Sequence, residues 1–142
     1  MADHCSENAA SLARLLALLD TLDEEKLARP LPNGWAIADA LVHLAFWDGY
    51  CLDLLRGWQK GTLPDKTANI DAINAAALTL SRAMTPAAAV TLLRNNATAV
   101  DRAVEELPPA VRAAIDASTH RYLLFRCWHR DAHLKTLESE LR

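Results

Sequence analysis

Five leucines near the amino terminus, Leu12, Leu15, Leu16, Leu19 and Leu22, fall at positions i, i+3, i+4, i+7 and i+10. A β-strand would scatter them over both of its faces, because its side chains alternate. An α-helix gathers them on one stripe. That spacing predicts a first helix from Ser6 to Leu22, with Ser6 or Asn8 placed to cap it. The residues Asp23 to Trp35 are a connection, punctuated by Arg29-Pro30-Leu31-Pro32-Asn33-Gly34.

The same reading continues along the chain. A second helix runs from Ala36 to Lys60, with Ile37, Leu41, Leu44, Ala45, Trp47 or Tyr50, Leu52, Leu55 and Trp58 on its apolar side. Asp39 in its first turn suits the positive end of the helix dipole. The stretch Gly61 to Asp65 ends it, and a weaker helix follows from Ile70 to Ala83. Thr85 as N-cap and Pro86 at the first helical position start the next helix, Ala87 to Glu106, with Val90, Leu93, Ala97, Val100 and Val104 inward. Leu107-Pro108-Pro109 stops it, and Ala110 to Ala117 is a short helix or loop. Ser118 or Thr119 caps a last long helix reaching Leu141, whose face carries Tyr122, Phe125, His129, Ala132, His133, Thr136 and Leu137. No stretch alternates as a strand does. Four long helices with an extra short helix in the middle connection predict an all-α, antiparallel four-helix bundle, a single domain over residues 1–142.

Charge narrows the partners. Fifteen basic and 18 acidic residues leave a net charge of −3 with no basic block. Nucleic acid and anionic membrane surfaces are therefore excluded as expected partners. Cys5, Cys51 and Cys127 form no Cys-x-x-Cys pair and are odd in number, which predicts free thiols in a reducing cytoplasm. The first residues lack the basic and apolar regions of a signal peptide, and no apolar run is long enough to cross a membrane.

The chemistry concentrates in Cys127-Trp128-His129-Arg130-Asp131-Ala132-His133. On a helix, His129 and His133 lie about 40° apart, one turn from each other. Two imidazoles so placed either share one metal ion or are ordinary surface or core residues. A metal needs a third ligand, and His43, among the apolar neighbours Leu41-Val42-His43-Leu44-Ala45, is the candidate. Asn74 either orients a bound ligand or is a surface or capping amide. Arg126, three residues before His129, either clamps a substrate carboxylate or forms a surface ion pair. Cys127 is about 200° from His129 on the helical wheel and is not counted as a ligand. Cys5 and Cys51 read as small buried hydrophobes, His4 and His120 as solvent-exposed, and the four tryptophans as packing.

The segment from Asn33-Gly34-Trp35 through Leu41-Val42-His43 to Trp47-Asp48 resembles the second-helix signature of the DinB-like superfamily. That group includes mycothiol-dependent maleylpyruvate isomerases and bacillithiol-type S-transferases. The His129-x-x-x-His133 pair is similar to the motif on the last helix of its members, and Ile70-Asp71-Ala72-Ile73-Asn74 with Thr85-Pro86-Ala87 resembles their middle helices. Ala36 departs from the pattern, standing where a Ser or Thr cap is usual. The resemblance implies a metal site of His43, His129 and His133, commonly holding zinc or nickel. Three histidines bind zinc at roughly 2.0–2.1 Å and leave a fourth position for water or substrate. It further implies a low-molecular-weight thiol, a small electrophilic substrate and an S-transferase, isomerase or hydrolase activity. Together with the Ala- and Leu-rich helices it suggests a homodimer. The competing expectation is a non-catalytic bundle that sequesters a ligand in stress or resistance.

Overall fold

A computed structural model of the chain describes residues 4–62 and 68–142. Its helices are α1 (His4–Leu19), α2 (Glu24–Leu27), α3 (Ile37–Gln59), α4 (Ile70–Ser81), α5 (Pro86–Glu105), α6 (Pro109–Asp116) and α7 (Arg126–Glu140), with a 3-10 turn over Arg121–Leu123. Among the described residues no strand forms; a single bridge joins Pro30 to Ala36. Each of the four long helices packs on two others: α1 on α5 and α7, and α3 on α5 and α7. The α3–α5 contact is the most extensive, and α4 lies against α3.

Most helix boundaries fall where sequence places them, and the exceptions have local causes. The connection after α1 holds a helical turn, α2, capped by Asp23, whose Oδ1 accepts the Lys26 N–H at 2.9 Å. Leu22 therefore lies beyond α1, although it still packs on the core. The turn before α3 is held by the Leu31 N–H to Trp35 carbonyl bond of 2.7 Å, with Gly34 at φ +88°. Glycine is favoured there because a side chain strains the left-handed region. Ala36 has no side-chain acceptor, and Asp39 compensates: its Oδ2 accepts the Ala36 N–H at 2.9 Å. The other Asp39 oxygen accepts the Ser81 hydroxyl at 2.5 Å, tying the start of α3 to the end of α4. The expected end of the second helix holds to Thr62, whereas Leu63 to Asp65 lie outside the described residues.

The last helix is the main correction. It begins at Arg126 rather than at Ser118 or Thr119. The chain breaks from helical geometry at Phe125, with φ −103° and ψ 65°. Asn8 compensates the break from inside α1: its amide nitrogen donates to the Leu124 carbonyl at 2.7 Å, and its oxygen accepts the Cys127 N–H at 2.9 Å. Asn8 is thus a buried cap for α7 and not a cap for α1. The inner face of α7 also differs from expectation. Ala132 and Thr136 are exposed, and the buried stripe is Cys127, Arg130, Leu134 and Leu137. That stripe is helical in spacing, but an arginine in it hides it from a hydrophobic reading.

The apolar core forms two clusters. One contains Leu15, Leu19, Leu41, Leu44, Leu93 and Leu134; the other contains Leu55, Val100, Val104, Ile115, Leu123 and Leu124. Four buried charges, Asp48, Asp101, Arg126 and Arg130, lie where α3, α5 and α7 pass from one cluster to the other.

Candidate functional site

The second and third turns of α3 carry His43 to a point opposite α7. There the three histidine rings meet, with centroids 5.1 Å apart for His43–His129, 4.8 Å for His43–His133 and 4.9 Å for His129–His133. One ring nitrogen from each lies within 4.8 Å of the others. His43 Nε2 is 3.1 Å from His129 Nε2. The Trp35 ring, delivered by the turn before α3, covers His43 at 5.2 Å.

The donor set fits a divalent ion. Metal–imidazole bonds of about 2.0–2.1 Å in tetrahedral geometry separate ligand nitrogens by roughly 3.3 Å, close to the His43–His129 spacing. Two facing imidazole nitrogens without an ion need one proton between them, whereas an ion takes a lone pair from each. His43 Nε2 is the ring nitrogen that faces His129, while Nδ1 is buried without a hydrogen-bond partner. The imidazoles are also held neutral. Burial, and then the nearby His133, lowers the His43 pKa to about 4. Burial, followed by His133, Arg126, His43 and Arg130, lowers His129 to about 3. Burial lowers His133 as well. Lone pairs are therefore available at neutral pH.

His43 and His129 line a cleft of about 700 Å³. Asn74, from α4, lines it, and its Oδ1 accepts the Trp47 indole N–H at 2.8 Å. The indole can only donate, so the amide orientation is fixed and Asn74 Nδ2 remains a donor. Arg126 also lines the cleft, but it is no surface ion pair: it is 3% exposed and donates from Nε to Asp48 Oδ1 at 3.0 Å. Its Nη1 donates to the Tyr122 carbonyl at 3.2 Å.

Several expectations change. His120 is half-buried and lines the cleft, packed on Trp58 and Tyr122. His4 is half-buried against Phe125. Cys51 is buried as expected and lines the cleft as a protonated thiol, pushed up to about 11 by burial. Cys5 is only half-buried. Cys127 points to the opposite side of α7, 3.8 Å from Glu7, and takes no part in the histidine cluster. Trp128 is half exposed, stacked on Phe125 at 4.4 Å, and Trp47 is a hydrogen-bonding wall of the cleft as well as packing.

Sequence reasoning missed the ion chain behind the histidines. Arg130 forms a two-pronged pair with Asp101, at 3.2 and 3.0 Å, and lies 3.6 Å from Asp48. Asp48 thereby faces both Arg126 and Arg130, the residues that bracket His129. Two signals were present: Asp48 interrupts the apolar run Phe46 to Cys51, and Arg126 and Arg130 are spaced i,i+4 beside the histidines.

Helices of this packing, converging three neutral histidines beside a cleft, define a helical protein with a candidate metal centre. Residues 9–119 match the family described as mycothiol maleylpyruvate isomerase N-terminal domain. The chain belongs to that family, a member of the DinB-like superfamily. The match contains His43 and Asn74 and ends before His129 and His133, whose convergence with His43 is a matter of geometry. No curated protein and no solved structure matches the chain. Among the described residues no helix is long and apolar enough to cross a membrane.

Proposed function

We propose that the protein is a metal-dependent enzyme that brings a low-molecular-weight thiol to a small electrophilic substrate, as an S-transferase or isomerase; a hydrolase is the related alternative. The observation that carries this reading is the convergence of three ligand nitrogens within 4.8 Å, from a cluster of which His43 and His129 line a cleft. His43, His129 and His133 would hold zinc or nickel, in a DinB-like antiparallel four-helix bundle formed by α1, α3, α5 and α7. Such an ion, bound by three histidines, supplies an open position that polarises a water or lowers the pKa of a thiol.

The remaining roles belong to the chain. Trp35 packs on His43 at 5.2 Å and adds to the burial that keeps its imidazole neutral. Trp47 fixes the Asn74 amide so that Nδ2 points a donor at a bound molecule. Asp48 holds Arg126 against the cleft wall, where its remaining N–H groups contact substrate oxygen. A homodimer completes the proposal.

Elemental analysis of tag-free protein tests it, with wild type beside His43→Ala. Near-stoichiometric metal is expected in the wild type and a sharp loss in the variant. Adding zinc at a hundred times its dissociation constant should stabilise stripped wild type by about 2.7 kcal/mol and leave the triple alanine variant unchanged. Absence of any thermal shift with zinc, nickel or ferrous ion removes both the site and the enzyme. Metal content without thiol-dependent turnover would leave a ligand-sequestering bundle.

A further inference from the structure

Helix α4 presents a face that the rest of the chain leaves uncovered. From Ala72 to Leu93 the only charged residue is Arg82. The outer strip of α4, Ala72, Ala75, Ala76 and Thr79, is exposed and small. Leu80 borders the strip and is 61% exposed. Beside Leu80 lies an apolar groove of about 390 Å³, walled by Val42, Phe46, Ala77, Met84 and Leu92. A large exposed aliphatic side chain next to a hollow of the same character marks a surface that gains by being covered.

Charge decides what covers it. Asp71 and Arg82 are exposed and stand at opposite ends of α4. They are three helical turns apart, so they lie within about 20° of each other and roughly 16 Å apart along the axis. Leu80 is about 180° from Asp71, on the other edge of the strip. Among the described residues no ion pair involves Asp71 or Arg82. A second α4 laid antiparallel across the strip brings the partner's Arg82 to Asp71 and the partner's Asp71 to Arg82. A two-fold axis does this because it reverses the helix and keeps its edges matched. The same operation sets each Leu80 on the edge that carries the partner's groove. A parallel pairing would instead oppose like charges at both ends. The small side chains of the strip let the two helix axes approach. Specific interfaces bury about 800 Å² on each partner; α4, about 18 Å long, supplies the centre, and the groove walls on α3 and α5 widen it.

We infer that the protein binds a second copy of itself through α4, in an antiparallel two-fold contact with reciprocal Asp71–Arg82 pairs and each Leu80 seated against the partner's groove. The inference rests on the homodimer of the proposed function and assigns its surface; it needs neither metal nor turnover. Sedimentation velocity of the full-length protein in chelator, across micromolar concentrations, tests it. Wild type should show a concentration-dependent monomer–dimer equilibrium. Asp71→Arg and Arg82→Asp each oppose like charges at both ends of the contact, and each alone should weaken the dimer by about tenfold or more. Mixed in equal amounts, the two variants should dimerise as wild type does, because every like-charge contact becomes an opposite one. Leu80→Glu should also weaken the dimer while circular dichroism stays that of wild type, since the side chain is exposed in the monomer. Asp53→Arg, exposed on α3, should change nothing. A dimer that these variants leave intact overturns the inference and leaves the homodimer standing, as does a mixture of the two charge variants that remains monomeric. A wild type that is monomeric throughout removes the homodimer as well and leaves the groove to a different partner; the metal centre is judged separately by elemental analysis.

Discussion

Replacing Asp48 by Asn removes one charge from a cluster that has no spare counterion. In the wild type Asp48 Oδ1 accepts from Arg126 at 3.0 Å, and Oδ2 lies 3.6 Å from Arg130. Asp48 is 3% exposed. The variant leaves two buried guanidiniums to share Asp101. Breaking a buried pair by deleting one partner costs about 3–5 kcal/mol, a large part of the 5–15 kcal/mol by which domains are typically stable. For a chain of this size that loss lowers Tm by roughly 10–20 °C. The comparator is Asp20→Asn. Its partner Arg94 is equally close, at 2.9 Å, but the two side chains are 71% and 40% exposed, and water screens them. That substitution should cost less than about 1 kcal/mol. Replacing the buried pair together, with Asp48→Leu and Arg126→Met, should cost less than Asp48→Asn alone, because no unmatched charge remains beyond the Arg130–Asp101 pair. Chemical and thermal denaturation of all four proteins measures this. If Asp48→Asn is no more damaging than Asp20→Asn, the ion chain does not stabilise the packing of α7 on α3.

Two further predictions follow from the same geometry. In metal-free protein, His43 and His129 have folded pKa values of about 4 and 3, below the unfolded value of roughly 6.5, so the unfolded state binds more protons between these limits. Stability is therefore complete above the unfolded pKa and is lost as pH falls towards 3, with a slope of up to about 1.4 kcal/mol per pH unit for each histidine. The His43→Ala, His129→Ala double variant should lose stability more gently from pH 6.5 downward, and equal slopes would show that buried neutral imidazoles are not the cause. Asn8→Ala should cost roughly 2–4 kcal/mol in urea denaturation, since it strands the buried Leu124 carbonyl and Cys127 N–H together; a loss below about 1 kcal/mol would mean that Asn8 does not hold the start of α7.

Local signals that one residue sends by itself were readable in the chain. Thr85 caps α5 by accepting the Ala88 N–H at 3.1 Å, with Pro86 beside it, as its residue type and position require. Leu15 and Leu19 are buried where the leucine spacing puts them. The i,i+4 spacing of His129 and His133 makes their meeting a property of one helix, and the apolar setting of His43 marks it as inward-facing. What the sequence hid depends on partners far along the chain. Asn8 looks like a cap for its own helix, yet its hydrogen-bond partners lie more than a hundred residues away. The break at Phe125 carries no glycine or proline, so nothing local announces it.

The phase of α7 joins these two kinds of information. Spacing fixes the angle between His129 and His133 but not the direction in which the pair points. An apolar stripe normally supplies that direction, and here the stripe is Cys127, Arg130, Leu134 and Leu137. Arg130 is 1% exposed, and it can occupy an interior position only because Asp101 on α5 and Asp48 on α3 meet it there. Rotating α7 by one residue, about 100°, would carry Arg130 away from both carboxylates and leave them buried and unmatched. The histidines flank the stripe, so the orientation that satisfies Arg130 is also the one that turns His129 and His133 towards His43. The ion chain, which no local pattern in the sequence announces, is in the folded chain what aims the three imidazoles at one point.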